Sequence, residues 1–493
     1  MSHQPHIAVI GAGFSGLSAA CSLAARGYTV TIFEKNSTAG GRARVFETDG
    51  FRFDMGPSWY WMPDVFEEFF SHFGHSVSDH YSLLRLDPAF RIVFPGEETL
   101  DIPGHFEALV TLFEQIEPVA GDKLRRFMDE AKLKYDLGVK CLAFKPGRSL
   151  FEYCDWQLLR NLHRLNLFTR FDVYVKRFFR DERLRRVMEF PILFLGARPQ
   201  SIPALYSFMN YGGLFAGTWY PKGGIGVVVN ALTELARSLG VRIELNAPVE
   251  SIAIENGGVL GLKVKGAFIQ AAGVVAAADY AHVDQGLLPD SHREYSSSYW
   301  NSRKLAPSAL IFYLGLNRQI PRLLHHNLFF DTNFDEHTDA LFLKPQWPKN
   351  PLFYCSAPSK TDETVAPHGY ENLFILVPLA SGLNDIEEER ERIFENVITR
   401  LSRYTSIPLK NHLVVKRTYC LNDFVSDYNA LHGNAYGLAN TLRQTATGKP
   451  RIVSSRVERL VYAGQLTVPG PGVPPSLISG RIAASELERS MRQ

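Results

Sequence analysis

The alternation of apolar and polar positions is clearest at the start of the chain. Residues 7–10 form a short β-branched apolar run, which predicts a buried strand. Residues 17–26 carry small side chains and leucines at helical spacing and stop at Gly27, which predicts a helix. Residues 28–33 form a second apolar run that ends at Glu34. The order strand, glycine-rich turn, helix and strand predicts an α/β unit with parallel strands.

The pattern changes between strand and helix along the rest of the chain. Pro474 is well placed at the start of the last predicted helix. The spacing predicts helices at 63–73, 105–117, 123–143, 226–239, 385–404 and 476–491. Strand-like runs lie at 91–94, 99–102, 241–245, 249–254, 259–264, 274–279, 310–316, 327–330, 372–378 and 456–464.

The turn after the first strand reads Gly11-Ala12-Gly13-Phe14-Ser15-Gly16. This G-x-G-x-x-G spacing, between a strand and a helix, is the fingerprint of dinucleotide binding. The first glycine permits the tight turn, the second lets the backbone approach a pyrophosphate, and the third lets the helix pack on the strand. An acid that ends the second strand accepts hydrogen bonds from ribose hydroxyls. We therefore predict cofactor contacts at Gly11, Gly13, Phe14, Ser15, Gly16, Glu34 and Lys35.

A second glycine turn, Gly40-Gly41-Arg42, follows soon after, and residues 51–57 read FRFDMGP. A nicotinamide enzyme has no evident need for such a turn, whereas a flavoprotein uses a second loop to cover the pyrophosphate, with arginine as an anion partner. The pattern resembles the FAD-binding half of the amine oxidase and carotenoid desaturase superfamily, which favours FAD over NAD. That resemblance extends the cofactor contacts to Gly41, Arg42, Met55, Gly56, Pro57 and Ser58.

The nucleotide-binding part is predicted to be discontinuous. Its motifs return after a Pro-x-Gly-Gly turn at 221–224 and again near the C-terminus. We predict an α/β fold with a Rossmann-type FAD-binding domain formed by residues 1–115, 219–290 and 450–493. Residues 116–218 are expected to form a helical, lid-like region that contacts substrate or membrane. Residues 291–449 are expected to form an inserted α+β substrate-binding domain.

Aromatic and histidine residues allow a few further expectations. Trp59 and Tyr60 follow Gly56-Pro57 and belong either to the core or to the wall of a tunnel for an apolar substrate. The 15 histidines show no paired metal-ligand spacing, so no metal site is predicted. The pair His325-His326 is expected to lie at the surface.

Composition excludes several classes of protein. The 493 residues, 45% hydrophobic and 21% charged, describe a globular chain of two or three domains. A formal net charge of +2 is too mild for a nucleic-acid partner. The five cysteines, Cys154 among them, are scattered, as expected for reduced thiols. The first apolar run belongs to the nucleotide fingerprint, and no apolar stretch is long enough to span a bilayer, so a cytoplasmic location is expected.

Residues 156–186 combine apolar side chains at near-helical spacing with nine basic and three acidic residues. A basic amphipathic helix can lie in a membrane interface with its cations on lipid phosphates. The same pattern also describes a solvated face over an ordinary core, and the spacing does not separate the two. The apolar substrate implied below favours peripheral membrane association.

Taken together, the segments GAGFSGLSAA, GGRAR, FDMGPSWYWMPDVFE, YPKGG and AGQLTVPGPGVPPSLISGR resemble the bacterial phytoene desaturase family. The resemblance runs from Ile7 to the C-terminal helix and is most particular in the last segment. It implies that Val249 lies near the adenine through its backbone, and that Val473, in the turn before the closing helix, contacts FAD. It also places Gly464-Gln465 near the ribityl chain, where many relatives carry Gly-Asp.

The family implies a reaction. An allylic C–H of phytoene gives a hydride to FAD and the neighbouring carbon loses a proton, which yields lycopene or neurosporene after several steps. Dioxygen or a quinone then reoxidises the flavin. Related activities stay open: hydroxycarotenoid 3,4-desaturation, squalene or diapophytoene desaturation, and carotene isomerisation. A flavin amine oxidase would call for an aromatic cage and a lysine near the flavin, and a prenyl-protein chaperone of this fold needs no intact flavin site. The sequence nominates no catalytic residue.

Overall fold

The computed structural model describes residues 4–153, 156–161, 164–193 and 195–492. Within them the strands are β1 (His6–Ile10), β2 (Thr29–Phe33), β3 (Val45–Thr48), β4 (Phe51–Asp54), β5 (Leu83–Arg85), β6 (Phe90–Val93), β7 (Thr99–Ile102), β8 (Trp219–Pro221), β9 (Arg242–Glu244), β10 (Val249–Glu255), β11 (Gly258–Val264), β12 (Ala267–Gln270), β13 (Gly273–Ala276), β14 (Ser308–Leu316), β15 (His326–Phe329), β16 (Phe353–Ser356), β17 (Glu371–Leu379), β18 (Leu413–Tyr419) and β19 (Leu460–Tyr462).

The α-helices in the same residues are α1 (Phe14–Ala24), α2 (Pro63–Ser71), α3 (Phe106–Ile116), α4 (Ala120–Gly138), α5 (Trp156–Asn161), α6 (Phe171–Phe178), α7 (Glu182–Leu193), α8 (Phe208–Asn210), α9 (Gly226–Ser238), α10 (Tyr280–His282), α11 (Ser297–Asn301), α12 (Phe334–Phe342), α13 (Glu387–Thr405), α14 (Leu421–Tyr428) and α15 (Val473–Met491).

A five-stranded parallel sheet, in the order β19-β13-β1-β2-β9, carries the nucleotide fingerprint. Its central strand β1 is buried from Ile7 to Ile10, as the apolar run predicted. Helix α1 contacts both α9 and α15, and Ser18 Oγ donates to the carbonyl of Leu477 at 2.6 Å. The predicted α/β fold with a Rossmann-type parallel sheet is confirmed.

A seven-stranded mixed sheet, in the order β18-β14-β17-β16-β15-β6-β7, forms the second layer. Strands β14 and β17 pair antiparallel along their whole length, and β14 is buried throughout. Strand β6 pairs in parallel with β15 although more than 200 residues separate them. The sequence pattern predicts that β6 and β7 belong to the FAD-binding domain as part of residues 1–115. In the structure they form the edge of this second sheet.

The basic segment 156–186 is not one amphipathic helix, and that prediction is wrong. The structure divides it into α5, α6 and α7, because Arg170 and Phe179 both adopt extended backbone conformations. The apolar face of α6 packs into the core, with Phe171 and Val175 fully buried. Residues 162–163 of this segment, and Cys154 just before it, lie outside the described residues.

Several cations of this segment are neutralised by carboxylates. Arg183 pairs with both Asp181 and Glu98, and Arg186 pairs with Glu182 and Glu189. Such pairing leaves these arginines less free to bind lipid phosphates. No helix in the described part of the chain has the length and apolar character needed to cross a membrane.

Candidate active site

The first glycine turn has the geometry that its spacing predicted. Gly11 has φ +98°, and its N–H donates to the carbonyl of Phe33 at 2.8 Å. A β-carbon on Gly16 would lie 2.0 Å from the carbonyl oxygen of Gly11, so only glycine permits this packing of helix on strand. A β-carbon on Gly13 would meet its nearest neighbour, Gly41 Cα, at 4.0 Å. Gly13 therefore borders the second turn at van der Waals distance and otherwise has room for a side chain, and it lines the cavity described below.

The second turn approaches the first through backbone alone. Gly40 N–H donates to the carbonyl of Ala12 at 2.8 Å. Gly41 has φ +55°, and a β-carbon on Gly56 would lie 2.5 Å from the carbonyl oxygen of Arg42. Three chain segments thus meet where side chains would block them.

Glu34 ties the first turn to the end of β2. One oxygen of this buried carboxylate accepts from Ala12 N–H at 2.8 Å, and the other accepts from Asn36 N–H at 2.9 Å. A carboxylate oxygen can accept more than one hydrogen bond, which leaves capacity for ribose hydroxyls. The ammonium of neighbouring Lys35 donates to the carbonyl of Ser426 at 2.6 Å and so anchors α14.

Arg42 and Asp279 provide opposite charges beside the turns. Burial lowers the pKa of Arg42, and the nearby carboxylate of Asp279 opposes that shift. Burial raises the pKa of Asp279 to about 6, while Arg42 and the backbone N–H of His282 oppose it. Arg42 Nε is buried without a hydrogen-bond partner among the described residues. This unpaired guanidinium nitrogen and the open face of Gly13 fit a bound diphosphate.

The C-terminal helix closes the same site. Gly472, at φ +114°, precedes α15, and the first residues of α15 line the same cavity as the turns. A β-carbon on Gly480 would lie 2.3 Å from the carbonyl oxygen of Ser15, so α15 and α1 pack at backbone distance. Gly464 N–H donates to Ser479 Oγ at 2.9 Å, and Gln465 donates to Asn434 Oδ1 at 3.1 Å.

One cavity of about 1150 Å³ extends from these turns into an apolar region. Most of the predicted site residues line it: Gly11, Gly13, Phe14, Ser15, Glu34, Lys35, Gly41, Arg42, Gly56, Pro57, Ser58, Trp59, Val249, Gly464, Gln465 and Val473. Its far walls come from α7, β15, α12 and the segment around α5, and include Phe190, Leu328, Leu341, Leu352, Leu158, Leu165 and Leu167. The cavity is therefore polar at the glycine turns and apolar beyond Trp59.

Three predicted residues lie outside the lining. Gly16 is enclosed by helix packing, and Met55 is buried with its carbonyl accepting from the Tyr313 hydroxyl at 2.7 Å. Tyr60 turns away from the cavity, stacks on Phe66 at 4.3 Å and shares a hydrogen bond with Tyr81 at 2.9 Å. Of the two aromatic residues predicted for the substrate wall, Trp59 alone lines the cavity.

The structure also adds residues that sequence reasoning missed. Tyr354, Tyr206 and His337 line the apolar part of the cavity. They come from β16, from a short turn before α8 and from α12, and the sequence offered no motif that joins them. The expectation that His325-His326 lies at the surface is wrong, because both side chains are buried within β15 and its approach.

The chain is similar to flavoproteins over almost its whole length. A family model described as flavin containing amine oxidoreductase matches residues 14–487. A carotenoid 3,4-desaturase of Haloarcula japonica is 41% identical, with 98% of this chain and 97% of that protein covered. A zeta-carotene-forming phytoene desaturase of Myxococcus xanthus is 32% identical, with 98% and 93% covered. Cyclohexylamine oxidase from Brevibacterium oxydans shares the fold, with TM-score 0.61 at 15% identity and 99% and 100% covered.

Proposed function

The chain belongs to the flavin-containing amine oxidoreductase family and, within it, to the carotenoid desaturases, and we propose that it desaturates the 3,4 bond of an already conjugated carotenoid. Its FAD cofactor and its action on CH–CH bonds in carotenoid biosynthesis follow from that membership. The 3,4 position is supported by the 41% identity to a carotenoid 3,4-desaturase, against 32% to a phytoene desaturase. Desaturation of phytoene to lycopene or neurosporene is the second candidate, which the motif resemblance favours.

The residues around the glycine turns suit FAD. Gly13 and Gly41 line the cavity where its diphosphate is expected, Glu34 offers acceptors to the ribose, and Val249 lines the wall where the adenine is expected. The positive end of α15 begins at Val473 and would favour negative charge on a flavin bound beside it. Bound there, FAD supplies the hydride acceptor of the reaction.

The continuous cavity is the observation that carries this proposal. Beyond Trp59 most of its lining residues carry aliphatic or aromatic side chains, which suit a hydrocarbon substrate. An apolar wall also excludes water from the carbon that loses hydride. A charged amine would find few polar partners there, which is a reason to favour a polyene over an amine.

Pigment analysis in two engineered hosts tests the function. One host accumulates phytoene and the other a conjugated carotenoid with a saturated 3,4 bond, and the Gly13→Val variant is the control in each. A red shift equal to one added double bond in the second host alone supports 3,4-desaturation. Coloured product in the phytoene host supports the second candidate instead. No change in either host, with FAD bound to the purified protein, contradicts both.

We also propose that the region around α5 contacts a membrane surface and admits the polyene. Phe168, Phe151 and Trp156 are 90%, 85% and 77% exposed. They belong to the same segment whose Leu158, Leu165 and Leu167 line the cavity. Exposed aromatic side chains beside arginines such as Arg160 and Arg164 suit the interface of an anionic bilayer. This location would bring a lipid-dissolved substrate directly to the cavity.

The final electron acceptor is proposed to be dioxygen or a membrane quinone. Both accept electrons from reduced flavins, and a quinone would reach the protein from the same lipid phase. Turnover under argon, with and without a short-chain quinone, separates the two. Turnover that needs neither acceptor would contradict this proposal.

A further inference from the structure

The buried pair His325-His326 forms a polar cluster behind the apolar wall of the cavity. His326 is 0% exposed, and its Nδ1 lies 2.7 Å from the hydroxyl oxygen of Tyr354. The indole of Trp59 stacks on the His326 ring, with centroids 4.0 Å apart and planes 15° from parallel. His326 Nε2 is buried and has no hydrogen-bond partner among the described residues. A buried imidazole with a spare nitrogen calls for an explanation.

Tyr354 connects this cluster to the cavity. Its side chain lines the cavity together with Ser58 and Trp59, at the border between the glycine turns and the apolar walls. On the other side, its hydroxyl meets His326 across the β15–β16 pair. Tyr354 therefore has one side toward a bound polyene and the other toward an imidazole.

Desaturation needs a group with this placement. The reaction removes a hydride from one carbon and a proton from its neighbour, and the cavity beyond Trp59 is apolar. Among the described residues there, His337 has both ring nitrogens engaged, by Pro378 and Leu352. Tyr206 shares a hydrogen bond with Thr445, whose hydroxyl donates onward to a backbone carbonyl, so that chain ends without a base.

Resting on the proposed desaturation, we propose that Tyr354 and His326 accept the proton that the polyene loses. As the hydride passes to the oxidised flavin, the C–H bond of the neighbouring carbon breaks and its electron pair becomes the new π bond. That proton goes to the Tyr354 hydroxyl oxygen, and the hydroxyl proton moves to His326 Nδ1. Tyr354 ends as a neutral phenol and His326 as an imidazolium.

The electrostatics of the pair agree with these roles. Burial lowers the pKa of His326 well below its ordinary value, so the ring is neutral before the reaction. Burial raises the pKa of Tyr354, so its hydroxyl keeps a proton to donate. Positive charge develops on the polyene as the hydride leaves and acidifies the neighbouring C–H bond, so a weak base suffices to take its proton. The stacked face of Trp59 stabilises the imidazolium by a cation–π interaction.

His325 packs directly beside His326. The His325 ring lies 4.4 Å from the His326 ring between centroids, and its Nδ1 lies 2.8 Å from Thr361 Oγ1. Thr361 is followed by Asp362, which accepts from the Tyr220 hydroxyl at 3.1 Å. His325, Thr361 and Asp362 thus add further polar groups near the pair, and no hydrogen bond among the described residues joins them to His326 Nε2.

Two variants are designed to remove the proton transfer while keeping the folded structure. Tyr354→Phe keeps the ring and removes the hydroxyl. His326→Asn keeps an acceptor for that hydroxyl but takes up no proton. Tyr60→Phe is the matched control, because it removes another buried tyrosine hydroxyl that lies outside the cavity. All three are purified with FAD and mixed anaerobically with polyene deuterated either at the hydride-donating carbon or, stereospecifically, at the proton-losing carbon.

We expect flavin bleaching in a single turnover to slow about 100-fold in Tyr354→Phe and His326→Asn, the low end of the usual effect of removing a general base. Deuterium at the proton-losing carbon should then slow bleaching further in these two variants, and the product mass should show loss of either hydrogen from that carbon. Tyr60→Phe should match the wild type in both readouts. A merely structural role would lower polyene binding without moving the isotope effect or the product mass.

Two outcomes contradict different statements. If the wild type bleaches with a polyene, but both variants bleach equally fast with unchanged isotope effects, the proton-accepting pair is wrong while the desaturase function stands. If none of the polyenes tested bleaches the FAD-bound wild type, the proposed function itself is wrong, and the proposed proton-accepting pair is wrong with it.

Discussion

Gly13 and Gly41 face each other across the two glycine turns, and a β-carbon on Gly41 would lie 3.2 Å from Gly13 Cα. The turns come from the ends of β1 and β2, which are neighbours in the parallel sheet. Their separation is set by the sheet and by the Gly40–Ala12 hydrogen bond. The two turns therefore meet at backbone distance, and both line the cavity where a diphosphate is expected.

Gly13→Val should abolish FAD binding while leaving the fold intact. The nearest atom to a β-carbon at Gly13 is 4.0 Å away, so the new side chain occupies the diphosphate space without striking the protein. Gly16→Ala is the contrasting variant, because its β-carbon would lie 2.0 Å from a carbonyl oxygen and should cost about 3 kcal/mol of folding free energy. Visible flavin absorbance and urea unfolding measure the two effects. Yellow holoprotein from Gly13→Val would contradict the assignment.

Trp59→Phe should weaken polyene binding about tenfold, since a smaller ring leaves a gap in the cavity wall and beside His326. Tyr60→Phe should bind polyene like the wild type, because Tyr60 lies outside the cavity. It should lose about 1 kcal/mol of stability through the unpaired Tyr81 hydroxyl. Quenching of tryptophan fluorescence by polyene, together with urea unfolding, measures both. Equal losses of polyene binding in the two variants would contradict the placement of Trp59 in the cavity wall and of Tyr60 outside it.

Replacing Phe151, Trp156 and Phe168 together by serine should reduce sedimentation with anionic liposomes at least tenfold. Each side chain would bury apolar surface worth about 1.5–3 kcal/mol in the interface. Phe268→Ser, 54% exposed on β12, is the control and should bind liposomes like the wild type. Unchanged sedimentation of the triple variant would remove the proposed membrane face.

His337 should make the protein less stable in acid. Its Nδ1 accepts from Leu352 N–H at 2.9 Å, and burial lowers its pKa from 6.5 to about 4. The unfolded state then binds more protons between these values, so this contribution is complete above pH 6.5 and is lost as pH falls toward 4. At pH 5 the loss should be about 2 kcal/mol relative to pH 7.5.

The His337→Gln variant isolates that contribution. Asp279 changes stability in the opposite direction, since burial raises its pKa to about 6, and other buried histidines add to the acid loss. Urea unfolding of the wild type and the variant at both pH values cancels these shared terms. The stability difference between the two proteins should shrink at pH 5. A constant difference would contradict the role of His337.

Local sequence patterns predicted the nucleotide half well. The fingerprint from residue 7 to Glu34 joins strand, turn and helix within one short segment. The spacing of its residues is therefore enough to predict the geometry of this unit. The predicted runs at 310–316 and 372–378 correspond to β14 and β17. The final helix begins three residues earlier than predicted, with Pro474 in its first turn.

Features set by distant partners were not predictable. Segment 156–186 has helical spacing throughout, but Phe171 N–H pairs with the carbonyl of Ile202 and the break follows from that contact. Two consecutive polar residues, His325-His326, predicted a surface position. In the fold, Tyr354 and Trp59 enclose His326. Strands β16 and β18 were missed because their burial depends on a sheet assembled from remote segments.

The parallel pairing of β6 with β15 has a mechanical consequence. Backbone hydrogen bonds join the first quarter of the chain to the sheet that carries the apolar walls. Separating these two strands of the seven-stranded sheet would therefore break backbone hydrogen bonds. We expect a long, stiff ligand to enter the cavity end-first, so that the depth of its entry decides which of its bonds lies beside Trp59.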